Sequence, residues 1–178
     1  MQPLTLPDAE QTLAALADRM RGAIALDAPF VGIHSGGAWL ADRLARMIPG
    51  DHPVGYVDVS FYRDDFRSKG LKPEVKRTDL PFDVEGATII LVDDVLYTGR
   101  SVRAAINELF DYGRPQKIEL AVLVDRGGRE LPIEATYCGA RLAAARDLSL
   151  VLSRADDGRL ALTTEGAGAA DSVGAADA

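Results

Sequence analysis

IILVDDVLYTGRS, residues 89–101, decides how the whole chain is read. Its first four residues are aliphatic without interruption, the pattern of a strand covered on both faces in a parallel sheet. Two adjacent carboxylates follow, Asp93 and Asp94, at the carboxyl end of that strand. Ligands of open α/β sheets bind in this position. Val95, Leu96, Tyr97, Thr98, Gly99, Arg100 and Ser101 then turn the chain into an amphipathic helix. The small residues let backbone amides wrap a phosphate, the Thr98 and Ser101 hydroxyls add donors, and the start of the helix adds its positive end. Paired carboxylates that accept from two ribose hydroxyls, beside a phosphate cradle, describe a site for a sugar phosphate. Either half alone is bland, an acidic strand end or an ordinary capped helix; it is their union in one strand–turn–helix unit that carries information. The chain holds no Gly-x-x-x-x-Gly-Lys-Ser/Thr and no Gly-x-Gly-x-x-Gly after a strand, so nucleoside-triphosphatase and dinucleotide loops are excluded.

Outward from this unit, strand and helix patterns alternate. Asp8 with Gln11 reads as a capping box, followed by Leu13, Leu16, Ala17 and Met20 at helical spacing. Phe30 to Ile33 is a short strand, His34-Ser35-Gly36-Gly37 a turn, and the next helix presents Leu40, Leu44 and Met47. Residues 54–61 alternate as a strand with Val57, Val59 and Phe61. From Tyr62 to Phe82 the pattern dissolves into a charged stretch carrying Arg63, Arg67, Lys69, Lys72, Lys76 and Arg77, which suits a lid or a solvated loop. Strands are expected at 88–92 and 118–124, with a helix from Ser101 to Gly113 between them. Short strand-like pieces follow at 135–138, 148–152 and 160–163. This order predicts an α/β fold, a mostly parallel central sheet with right-handed crossovers and flanking helices. Residues 1–165 are expected to form one domain, with 166–178 a disordered tail of small and polar residues.

Composition narrows the classes. At 178 residues, with 47% hydrophobic and 26% charged residues, the chain suits one globular domain. The longest apolar runs are strand-sized, so no membrane span is expected, and the N-terminus does not read as a signal peptide. One cysteine, Cys138, excludes an internal disulfide framework; a cytoplasmic location is expected. The net charge of −7 argues against a generally basic nucleic-acid binder. No His/Cys/Asp/Glu cluster reads as a metal cage built by the protein alone. Ser35, Gly36 and Gly37, directly after a strand, form a second nest of amides that suits an anion. Asp125, Arg126 and Gly127 stand at the carboxyl end of another strand, where loop groups can read a ligand.

The 89–101 unit resembles the 5-phosphoribosyl-1-pyrophosphate (PRPP) motif of type I phosphoribosyltransferases. VDDVLYTGRSVRAA (92–105), with FVGIHSGGAWLADRL (30–44), VDVSFYRDDF (57–66) and LAVLVDRGGRELPI (120–133), is most similar to the PyrR family. Members of that family attenuate pyrimidine operons and also show uracil phosphoribosyltransferase activity. The resemblance covers nearly the whole chain except the last dozen or so residues. It implies the type I fold with a small hood built from chain ends, and transfer of 5-phosphoribosyl from PRPP to uracil, giving UMP and pyrophosphate, with Mg²⁺ carried by PRPP. It further implies Asp93 and Asp94 on the ribose hydroxyls, residues 95–101 on the 5-phosphate, and Ser35–Gly37 with Arg63 on pyrophosphate. Residues 125–127 would then face the base under the hood, and the protein would be a homodimer or larger. Whether one aspartate instead accepts a proton is left open by the sequence. Purine or orotate specificity is a weaker alternative, because base choice rests on few contacts.

Two departures stand out. The relatives have Thr-Arg-Gly where this chain has Ser35-Gly36-Gly37, which removes a cation from the pyrophosphate loop. The family's basic RNA-binding face uses a His-Arg pair followed by an Arg and a Lys; here Arg129 remains, but the other positions read Gly128, Glu134 and Ala140. Affinity for RNA phosphates depends directly on such cations. Arg141 and Arg146 compensate for them only in part. The sequence therefore favours an enzyme or nucleotide-sensing reading over attenuation through messenger RNA.

Overall fold

The structure, a computed structural model, describes residues 5–59, 77–146 and 148–166. Arg63, Arg67, Lys69, Lys72 and Lys76 of the expected lid fall outside the described residues, as do residues 167–178 of the expected tail.

Five parallel strands form the central sheet in the order β2-β1-β3-β4-β5. They are β1 (Phe30–Ile33), β2 (Val54–Val57), β3 (Thr88–Leu96), β4 (Lys117–Asp125) and β5 (Tyr137–Arg141). Helices α1 (Ala9–Met20) and α2 (Gly36–Met47) pack on one face, and α3 (Arg100–Asp111) on the other. Successive residues of a strand point to opposite faces, and β3 shows it: Ile90 and Val92 meet Leu13, Leu16, Leu40 and Leu44, while Ile89 and Leu91 meet Val102, Ala105 and Leu109. Burial on both sides explains why the strand reads as continuous apolar sequence. The α1 cap is as expected, with Asp8 Oδ1 accepting from the Gln11 amide at 2.9 Å. Among the described residues no helix is long and apolar enough to cross a membrane.

Two strand lengths differ from expectation, each for a reason of pairing. β2 ends at Val57 because its partner β1 ends at Ile33; Val59 is still buried, beyond the last paired residue. β3 runs four residues further than expected, to Leu96, because β4 accompanies it as far as Asp125. Asp93 and Asp94 therefore lie within the last paired stretch of a strand that continues through Val95 and Leu96, rather than in a turn. After the undescribed segment the chain returns to β2: the Tyr56 and Asp79 backbones exchange two hydrogen bonds, and Thr78 Oγ1 donates to Glu108 at 2.7 Å.

The hood is an antiparallel pair, β6 (Leu148–Arg154) and β7 (Leu160–Gly166), so Gly166 still belongs to a strand. Leu152 and Leu160 enter the core beneath it. Glu10 of α1 fastens it: its carboxylate accepts two bonds from Arg43 of α2, at 2.7 and 2.8 Å, and one from the Leu160 amide at 2.8 Å.

Candidate active site

In a sheet of order 2-1-3-4-5 the connections leave β1 and β3 in opposite directions, which opens a crevice at their carboxyl ends. That crevice is occupied by the loops after Ile33 and Leu96. Two glycines bring them together. A Cβ on Gly36 would overlap the Asp94 carboxylate, and one on Gly37 would overlap the Val92 carbonyl. Only a side-chain-free start lets α2 begin against the end of β3. This explains why Ser35 and Gly36 sit beside Asp93 and Asp94.

The result is a cavity of about 360 Å³. Its walls include Ser35, Gly36, Asp93, Asp94, all seven residues from Val95 to Ser101, and Arg126. Asp93 is buried, and its Oδ1 accepts from the Asp94 amide at 3.0 Å; Asp94 Oδ1 accepts from the Val95 amide at 2.9 Å. Each carboxylate is thereby oriented by backbone. Gly99 caps α3 at φ +92°, a conformation glycine adopts without cost, and the Thr98 hydroxyl accepts from the Arg100 amide at 3.3 Å. Thr98 O accepts from the Glu130 and Leu131 amides at 3.0 and 3.1 Å. Arg100 pairs with Glu130 at 2.8 Å, so its guanidinium braces the loop from outside. The N-terminal turn of α3 thus faces the cavity from a loop that is tied down on its far side, an anion-binding arrangement.

Other expected residues lie elsewhere. Gly37 is buried at the helix start and does not line the cavity. Asp125 and Gly127 do not line it either: the Asp125 carboxylate accepts from Arg129 Nη2 at 2.6 Å and from the Gly127 amide at 2.9 Å. Burial raises the Asp125 pKa, but the Arg129 bond and the Gly127 amide outweigh it and hold the group below its ordinary value. Arg129 is equally committed, donating also to Ile133 O at 2.9 Å and Tyr97 O at 2.8 Å. The cation that the resemblance implied for RNA is here a brace between two loops.

Trp39 and the hood residues Ser149 to Leu152 line the cavity without having been expected there, as does Arg146. Trp39, whose residue type suits the core, is only half-buried, with Arg154 stacked 4.8 Å from its ring. The hood strand carried no signal of its own, since a short alternating strand looks the same wherever it lands. Among the described residues no group of three or more His, Cys, Asp or Glu side chains could hold a metal ion.

The model of the phosphoribosyl transferase domain matches residues 9–141. The chain is 54% identical over 155 residues to a bifunctional protein PyrR of Ralstonia nicotianae, covering 87% of this chain and 88% of that protein. It is 47% identical over 148 residues to a bifunctional protein PyrR of Pseudomonas aeruginosa, covering 81% and 87%. Among solved structures, a hypoxanthine-guanine phosphoribosyltransferase of Bacillus anthracis shares the fold at a TM-score of 0.62 and 20% identity, over 82% of this chain and 85% of that one. A purine phosphoribosyltransferase of Pyrococcus horikoshii superposes at 0.57 with 27% identity, over 78% and 85%. Two loops at the carboxyl ends of β1 and β3, closed by a C-terminal hood, are what this chain's residues build, and the chain belongs to the PyrR family of phosphoribosyltransferases.

Proposed function

We propose that the cavity transfers 5-phosphoribosyl from PRPP to uracil, giving UMP and pyrophosphate. The observation that supports this most is the convergence of two buried-edge carboxylates, the α3 N-terminal loop and the Ser35–Gly36 turn on one cavity of about 360 Å³ under a hood. In this reading residues 95–101 hold the 5-phosphate and Asp93 and Asp94 accept from the ribose hydroxyls. Their negative field favours the oxocarbenium character of the sugar as the C1–O bond to pyrophosphate breaks and the C1–N1 bond to uracil forms. The uracil N1 proton leaves to solvent or to one of the two carboxylates. Ser35 and Gly36, at the start of α2, face the departing pyrophosphate, with Arg63 as a proposed further contact. The hood strand covers the base and excludes water.

The residues present fit an Mg²⁺ ion whose main ligands would be PRPP oxygens, and the Asp94 carboxylate beside Gly36 would be the protein group available to hold it. When bound, the ion neutralises charge that develops on pyrophosphate. The reading goes with a cytoplasmic, homodimeric or larger protein.

Initial rates with PRPP and Mg²⁺ against uracil, hypoxanthine, adenine, guanine and orotate test it; uracil should be turned over fastest, and another preferred base would overturn the substrate assignment. Asp93→Asn with Asp94→Asn should lower UMP formation by about a thousandfold or more while leaving the fold intact by circular dichroism. Full turnover in that variant would refute the site.

A regulatory reading, in which UMP or PRPP controls binding to a pyrimidine-operon messenger RNA, is favoured by the name bifunctional that the curated relatives carry. The engagement of Arg129 weighs against it. A gel shift with a leader hairpin at stated salt separates the two.

A further inference from the structure

Arg126 is 5% exposed, yet among the described residues no carboxylate is paired with it. Nη1 donates to Leu148 O at 2.5 Å and Nη2 to Ala145 O at 2.6 Å, while Nε has no partner. The guanidinium lies 4.1 Å from the centre of the Tyr97 ring. A buried cation without a counter-charge is costly, so its retention calls for a purpose that the two carbonyls and the ring together reveal.

Those partners belong to separate parts of the molecule. Ala145 and Leu148 are the entry to the hood; Tyr97 is in the loop after β3. Tyr97 is itself wedged. Its carbonyl accepts from Arg129, and its ring lies against Gly128, whose φ of +77° and missing side chain leave room that a Cβ would take from the ring. A planar fork is needed to reach two carbonyls and still stack on an aromatic face, which lysine cannot do.

We propose that Arg126 is a positioning residue that sets the hood strand at a fixed height over the phosphoribosyl loop, using Tyr97 as its seat, and does not itself touch the base. This rests on the reading of the cavity as a site for phosphoribosyl transfer to uracil, with the base between β6 and the loop. The loop has its own anchors in Arg129 and in the Glu130 and Leu131 amides, so removing Arg126 loosens the hood and spares phosphate binding.

The test joins kinetics to hydrogen exchange in the substrate-free protein. Arg126→Gln should raise KM for uracil about tenfold or more, with KM for PRPP changed by less than about threefold, and Arg126→Lys should recover only part of the loss. Tyr97→Leu should loosen the hood as Arg126→Gln does, with the double variant Arg126→Gln/Tyr97→Leu no worse than either single change. In both disruptive variants amides 148–152 should exchange about tenfold faster, with α1 and α2 unaltered. Unchanged exchange at 148–152 overturns the proposal even if KM for uracil rises, since Arg126 would then be a base contact. Fully additive variants overturn it too. If the natural protein makes no UMP, the functional reading fails, and exchange still decides whether Arg126 holds the hood.

Discussion

Gly99 is the residue of the site on which backbone conformation weighs most. Its φ of +92° lies in the left-handed region, and a Cβ there would come 3.2 Å from Ile133 Cβ. Gly99→Ala should therefore cost about 1–3 kcal/mol in urea unfolding and raise KM for PRPP, because the strain falls on the turn that presents the loop amides. An alanine variant as stable as the natural protein would show that the turn tolerates a side chain. Gly99 and its neighbours were legible in the sequence because the requirement is local: strand, carboxylates, turn and helix are contiguous. Arg129 was not legible. Its type suits a surface phosphate contact, and only the positions of Ile133 O, Tyr97 O and Asp125 show that its donors are taken.

At the scale of elements, one carboxylate links the hood to both α1 and α2. Arg43 beside Glu10, helped by the Leu160 amide against some burial, holds the Glu10 pKa below its ordinary value. A depressed folded pKa gives stability that is present above the unfolded value and lost as pH falls through the folded one. Glu10→Gln should thus cost about 1–2 kcal/mol at neutral pH, and the gap to the natural protein should narrow as pH drops below the ordinary glutamate value of 4.5. Chemical unfolding at a series of pH values measures this; a gap independent of pH would mean that the carboxylate charge contributes nothing. The elements themselves were largely readable, since α1, β1, α2, α3 and β4 follow from periodicity and caps. The ends of β2 and β3 were not, because a strand ends where its neighbour does, and Val57 pairs with Ile33 and Leu96 with Asp125, far outside any local window.

The whole molecule encloses its single thiol. Cys138 is buried against the α3 side of the sheet, and burial pushes its pKa up. A thiol that is both covered and protonated is a poor nucleophile. Under native conditions a disulfide-exchange reagent should label Cys138 only through unfolding, at a rate that rises with denaturant in step with loss of helix signal. Rapid labelling of the folded protein would show a local opening of β5. Burial is the ordinary state of a free cysteine, which packs as a small hydrophobe.

The sequence by itself determined the sheet class, the carboxylate pair and the glycine turn into α3, because each is set by chemistry among adjacent residues. The tertiary structure alone decided that Trp39 and Ser149–Leu152 share a cavity with Asp93. No pattern of residues encodes that meeting. It comes from closing the hood over the sheet, where burial of Leu152 and Leu160 and the Glu10 latch bring together segments about a hundred residues apart.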